Sequence, residues 1–292
     1  MTNNKLLLFR LAELMLEQEQ HVLLVDNLFD DEQIGDNVKS IQIDSSYQQM
    51  ILEGVLTESV QNEMLYVSFT IEGYFHFILG EVIYNQSSNK ESSYLNNLLY
   101  HNRLNGIKEG VEQCLIIEVN QGRLERLVEL IDEGGEAEKV ARFPLVHAFM
   151  KNNVEDVFQT LMENPSIYDW NVIKHVRGIL IENQKQLVVE KLDGIIKESI
   201  QLKNTIDDLL LCDNKLEFHE ALTLISFYTE LNALDQAKIY FTQFIEEAEK
   251  RNYRDSLVEG LEKLGDSEYK RSGQDGYKAA MEALSRAAEI RE

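Results

Sequence analysis

Val154-Glu155-Asp156-Val157-Phe158-Gln159-Thr160-Leu161, followed beyond Asn164-Pro165 by a run in which Trp170, Ile173, Val176 and Leu180 recur, is the stretch that decides the fold. Val154, Val157, Phe158 and Leu161 fall on one stripe of a 3.6-residue period, and the four residues of the second run fall on another. Two such helices joined by an asparagine-proline turn form a hairpin that cannot bury its apolar face alone, and stacking against neighbouring hairpins solves that. Outward from this pair the punctuation repeats. Asn105-Gly106, Asn120-Gln121-Gly122, Gly134-Gly135, Asn152-Asn153 and Asn183-Gln184 separate apolar-periodic runs at intervals of 12–20 residues, a spacing that suits helical hairpins packed side by side. The expected fold is mainly α, with an α-solenoid of hairpins over residues 94–215.

Composition agrees. The 292 residues, 44% of them apolar, suffice for about two domains or one array of repeats. Two prolines, against an average of about 5%, leave turns to Gly, Asn and Asp and let helices run on. There are 51 acidic and 28 basic side chains, a net charge of −23, which repels phosphate backbones and anionic lipid and speaks against a nucleic-acid partner. Residues 1–100 are the most acidic third, with Lys5, Arg10, Lys39 and Lys90 against fifteen carboxylates. Arg10 and Glu13 break Leu6-Leu7-Leu8-Phe9 before a signal-peptide core can form, and no apolar run approaches the ~18 residues of a membrane span. Cys114 and Cys212 each sit in an apolar helical pattern and make no disulfide framework, which suits a cytoplasmic protein.

Toward the N-terminus, Leu7, Leu11, Leu14 and Met15 mark one helix face, Asp30-Asp31-Glu32 opens a short helix, and Asp44-Ser45-Ser46 caps another through Tyr47, Met50 and Ile51. The period then shortens. Leu65-Tyr66-Val67-Ser68-Phe69 alternates like a strand, and helical spacing returns from Ile71 through Ile83. Asn85 to Ser93 carries no apolar residue and reads as a loop. The expected domains are 1–85, a small helical domain with one short strand or hairpin; a polar linker, 86–93; helical hairpins, 94–215; and a last pair of hairpins, 216–292.

Two family resemblances follow. Leu264-Gly265, Tyr269, Gly273, Tyr277, Ala280, Leu284 and Ala287 keep the order of the tetratricopeptide pattern, in which small residues allow two helices to cross closely. Leu224, Tyr228, Ala237 and Phe241 repeat it more loosely, with Phe244 where an alanine would stand. The turn Ser272-Gly273-Gln274-Asp275-Gly276 reads as about three residues longer than the pattern's own, and the proline after the second helix is missing. Nearer the N-terminus, Tyr47 to Leu56, then Val67-Ser68-Phe69-Thr70 leading into Glu72-Gly73-Tyr74-Phe75, look like the winged-helix segment of STAND ATPases, the NLR-like signalling ATPases of bacteria. In that family the segment lies between the ATPase core and a repeat-bearing sensor arm. No G-x-x-x-x-G-K-[ST] loop occurs here, so no nucleotide-binding role carries over.

Catalytic chemistry is not legible. His219-Glu220 begins like a zinc-protease helix, but Thr223 stands where the second histidine must be. Asp30-Asp31-Glu32, Asp207-Asp208 and Glu246-Glu247-Glu249 read as solvated helix ends and faces. No calcium loop and no nucleophile elbow appears. The expectation is a non-enzyme without metal or cofactor that binds a protein or peptide. By resemblance it is a sensor or regulatory component of an NLR-like defence or signalling system; a general scaffold or adaptor, and an enzyme with a site no motif reveals, are the other readings. If the tetratricopeptide register holds, Glu262, Asp266, Tyr269 and Lys270 share the partner-binding face of one helix, in a segment, 251–292, whose eight basic and nine acidic residues nearly balance.

Overall fold

The computed structural model describes residues 3–40, 42–87, 93–163, 167–271 and 273–291. These form seventeen helices and three strands, divided between two compact units, Met1–Asn152 and Asn153–Glu292. Among the described residues no helix is long and apolar enough to cross a membrane.

The first unit opens with α1 (Asn3–Gln18), β1 (Leu23–Leu24), α2 (Val25–Leu28), α3 (Gly35–Lys39) and α4 (Ser46–Leu52), then a hairpin of β2 (Leu56–Gln61) and β3 (Met64–Phe69). The antiparallel sheet has the order β1-β3-β2, with Glu58 opposite Val67 and Leu23 on the other side of Val67. The hairpin turns through Asn62 and Glu63, both at positive φ, the geometry of a two-residue turn that matches strand twist. Ser45 caps α4 by accepting a hydrogen bond from the Gln48 amide, as the sequence predicts. Asp31 closes the loop before α3 by accepting from the amides of Gln33 and Ile34, and it receives Arg10 Nε at 3.0 Å. Burial works against ionising Asp31, yet those two amides and the guanidinium together hold its carboxyl below the usual range.

The unit continues with α5 (Glu72–Ser87), α6 (Ser93–His101), α7 (Ile107–Val119), α8 (Glu125–Glu133) and α9 (Gly135–Lys151). Helix α5 lies against both α1 and α7. At the second contact a Cβ added to Gly80 would stand 2.4 Å from Gln113 Cβ, and one on Gly110 would stand 2.7 Å from Leu79 Cδ2. That crossing packs together the segments on either side of the polar stretch 86–93, and the first compact unit runs on to Asn152. Residues 88–92 of the expected linker fall outside the described ones. Pro144 is buried inside α9, so one of the two prolines interrupts a helical amide ladder rather than standing clear of it.

The second unit contains α10 (Val154–Leu161), α11 (Ile167–Glu182), α12 (Gln186–Glu198), α13 (Ile200–Leu211), α14 (Lys215–Glu230), α15 (Leu234–Lys250), α16 (Arg254–Lys270) and α17 (Gly273–Arg291). The two stripes that decided the fold face inward: Val157, Phe158, Trp170, Ile173, Val176 and Leu180 are all buried. From α13 to α17 each helix packs on the next in sequence, and α14 also touches α16. Of the long turn expected at 272–276, Ser272 lies outside the described residues and Gly273 to Gly276 are helical instead. Helix α16 ends at Lys270, α17 begins at Gly273, and Gly276 is already a buried helical residue whose added Cβ would lie 2.7 Å from the Glu268 carbonyl oxygen.

Candidate functional site

The α16–α17 hairpin is built on small residues. Ala283 and Ala287 join Ile245, Val258 and Leu261 in one core cluster, backed by Leu257, Leu264 and Ile290. Gly260 admits the Phe244 ring, which would stand 2.9 Å from a Cβ there, and Gly265 admits Leu284, 2.8 Å from a Cβ. Beneath the hairpin's end lies a buried carboxylate, Glu268, 3.4 Å from Lys238 Nζ and 3.7 Å from Arg271 Nε. Arg271 reaches Asp235 at 2.6 Å as well, so the helix end is anchored to α15.

With packing satisfied on that side, α16 presents the four expected contact residues outward. Asp266, Tyr269 and Lys270 are exposed, and Glu262 is half-buried because it holds Arg291 Nη2 at 2.8 Å. Tyr269 is 66% exposed and therefore not core filling; its ring lies 6.4 Å from that of Tyr277 on α17. Tyr277, Met281 and Leu284 are exposed beside it. Sequence reasoning placed Tyr277 and Leu284 among the packing positions of the repeat and missed this. A second apolar spacing along α17, offset from Ala280, Ala283 and Ala287, was the available signal.

The same side of α16 meets α14. His219 lies 3.2 Å from Ser256 Oγ through Nδ1 and 3.2 Å from Glu259 through Nε2, which accounts for the histidine that began like a metal ligand. A cleft of about 520 Å³ is lined by Arg254, Asp255, Glu259, Glu262, Lys263 and Arg291. Opposite charges alternate around it, and Glu262 and Arg291 already satisfy one another. Comparison with protein-family models, curated proteins and solved structures finds no match to this chain. The surface must therefore be read from its own chemistry.

Among the described residues no three His, Cys, Asp or Glu side chains gather as a metal site. Burial, then the nearby Glu118 carboxylate, pushes the Cys114 thiol up to about 12. The Cys212 thiol is also raised, because its Sγ donates to Glu217 Oε2 at 2.9 Å. Neither carries the thiolate character of a reactive cysteine. In the first unit, Tyr47 donates to Glu58 at 2.7 Å, and burial followed by that carboxylate holds the phenol far above its ordinary range. Residues 42–87, which include α4 and the hairpin, contain no Lys or Arg.

Proposed function

We propose that the chain is a non-enzymatic protein-interaction module, a sensor or regulatory component resembling the repeat-bearing half of NLR-like defence and signalling ATPases. It binds a protein or peptide through Glu262, Asp266, Tyr269 and Lys270. The observation that carries this reading is Tyr269, a large aromatic side chain 66% exposed on a helix whose core contacts are complete without it. Exposed tyrosines supply rigid, amphipathic contact area, and such residues dominate binding energy at interfaces.

Other features support it. A helical N-terminal segment followed by a hairpin, with sheet order β1-β3-β2, is consistent with a winged-helix segment. Helices α13 to α17, packed in sequence with small residues at the crossings, are consistent with tetratricopeptide-like hairpins in a short solenoid. A winged helix that docks on DNA needs cations on its recognition helix and wing, and residues 42–87 have none. That segment serves here as a packing module. Two free cysteines suit the cytoplasm.

Affinity capture from the native host, read by mass spectrometry, tests the reading. A protein retained by the wild-type chain should be lost on the double change Tyr269→Ala with Glu262→Ala, while the circular-dichroism melt stays cooperative. Retention by a folded double variant would show the face to be wrong. The purified chain should hydrolyse no ATP and bind no duplex DNA at moderate salt, and either activity would overturn the proposal.

A further inference from the structure

The outward row on α17 has a spacing that selects its occupant. Gln274, Tyr277, Met281, Leu284, Ala288 and Arg291 follow one another in alternating steps of three and four residues, the interval by which one helix lines a seam with another. A separate row, Gly276, Ala280, Ala283 and Ala287, is the one buried against the rest of the unit. Tyr277, Met281 and Leu284 remain 58%, 48% and 39% exposed. Asp275, Lys278, Glu282 and Glu289 are exposed beside them, so the row is an apolar strip flanked by charges of both signs.

We propose that this row joins two copies of the chain, their α17 helices antiparallel about a two-fold axis passing between Met281 and Leu284. In that register position 281 of one copy meets 284 of the other, and position 277 meets 288, so the bulk of Tyr277 lies over the small Ala288. Lys278 reaches Glu289, and Arg291 at the end of one helix, which within its own chain holds Glu262 at 2.8 Å, turns instead to Asp275 in the first turn of the other, exchanging one carboxylate for another. Every such contact occurs twice, as two-fold symmetry requires. The two Glu282 side chains approach each other near the axis, each partly offset by its own Lys278 at 3.9 Å. A parallel pairing would instead set Arg291 on Arg291, Asp275 on Asp275 and Tyr277 on Tyr277, which like charge and bulk disfavour. One helix on one helix is a small interface, so the dimer is reversible and depends on concentration. It needs no partner protein, and Met281 and Asp275 stand outside the Glu262–Lys270 set.

Sedimentation velocity of the full chain between roughly 1 and 200 µM should show monomer passing to dimer. Met281→Glu should weaken the dimer by at least about tenfold with its thermal melt at low concentration unchanged. Asp275→Arg and Arg291→Asp should each weaken it, and an equimolar mixture of these two variants should recover it, because each end contact of the mixed dimer again pairs opposite signs. Glu282→Gln should tighten it at neutral pH. A wild-type chain that stays monomeric throughout the range overturns the proposal and assigns the row to another protein. A dimer indifferent to Met281→Glu, or a mixture no tighter than its components, overturns it equally.

Discussion

The α5–α7 crossing in the first unit and the α16–α17 hairpin in the second use glycine for the same purpose and reach opposite surfaces. At Gly80 an added Cβ would meet Gln113 Cβ at 2.4 Å and the Cys114 amide nitrogen at 3.1 Å, and the large residues Leu79, Ile83, Val111 and Leu115 all turn inward. At Gly265 the obstacle is Leu284, a side chain 39% exposed. On α17 the small residues turn inward and Tyr277, Met281 and Leu284 turn outward. Close approach is thus a packing device in both places. What separates a sealed core from a contact surface is where the displaced bulk ends up.

Adding a methyl at each crossing gives the largest expected contrast. Gly80→Ala must move backbone and should cost about 2–3 kcal/mol by urea unfolding. Gly265→Ala need only swing an exposed leucine, and the gain in helix propensity of about 1 kcal/mol offsets much of that, leaving the variant within about 1 kcal/mol of wild type. Equal costs would erase the distinction drawn between the two crossings.

Ion pairs extend the contrast at smaller scale. Arg10–Asp31 in the first unit is largely shielded, whereas Arg291–Glu262 in the second is mostly open on its arginine side. Asp31→Asn should cost about 1–2 kcal/mol at pH 7, and Glu262→Gln no more than about 0.5 kcal/mol. Because folding depresses the Asp31 carboxyl, its contribution is present above the ordinary carboxylate range and is lost as pH falls through the folded value. The gap between wild type and Asp31→Asn should therefore close below about pH 4, which thermal melts at successive pH values would show.

The two cysteines give the finest comparison, one to each unit. At pH 8 a thiol reagent should label Cys212 in the native chain and reach Cys114 only on unfolding, since Cys114 is buried with its thiol near 12. Removing the acceptor that raises the Cys212 thiol, by Glu217→Gln, should speed labelling about threefold. Native labelling of Cys114 would mean that the α5–α7 crossing opens readily.

The helices were readable wherever period and caps agreed, as at Ser45 and in α10 and α11, while the Asn164-Pro165 turn between those two lies outside the described residues. Strand β3 was readable for the same reason, since Val67 is buried within an alternating run. Its partner β2 was not, because Thr57 to Gln61 are all exposed and carry no burial pattern; Asn62-Glu63 between the two runs was the clue. A polar stretch such as 86–93 records exposure and says nothing of Gly80 and Gly110, whose close crossing brings its flanks together. The turn after Lys270 misled because Gly276 reads as a turn residue when its role is to admit the Glu268 carbonyl. At the candidate site, Glu262, Asp266 and Tyr269 could be placed on one face from spacing alone. The exposure of Tyr277 and Leu284 could not, since it depends on which of two apolar rows on α17 seats against its neighbours.

Glu268 joins three helices at a point: its carboxylate meets Lys238 of α15, its own helix is α16, and its carbonyl faces Gly276 of α17. In a stack whose members touch chiefly their neighbours, cooperativity is set by the joints as much as by the hairpins. A charged clasp at this joint ties α16 to α15 at the point where α17 begins to pack on α16, so the three helices share one fastening. Local opening of α15 would thus strip Glu268 of Lys238 and leave a buried carboxylate under-compensated, which ties the stability of the α16–α17 hairpin to that of the helix before it.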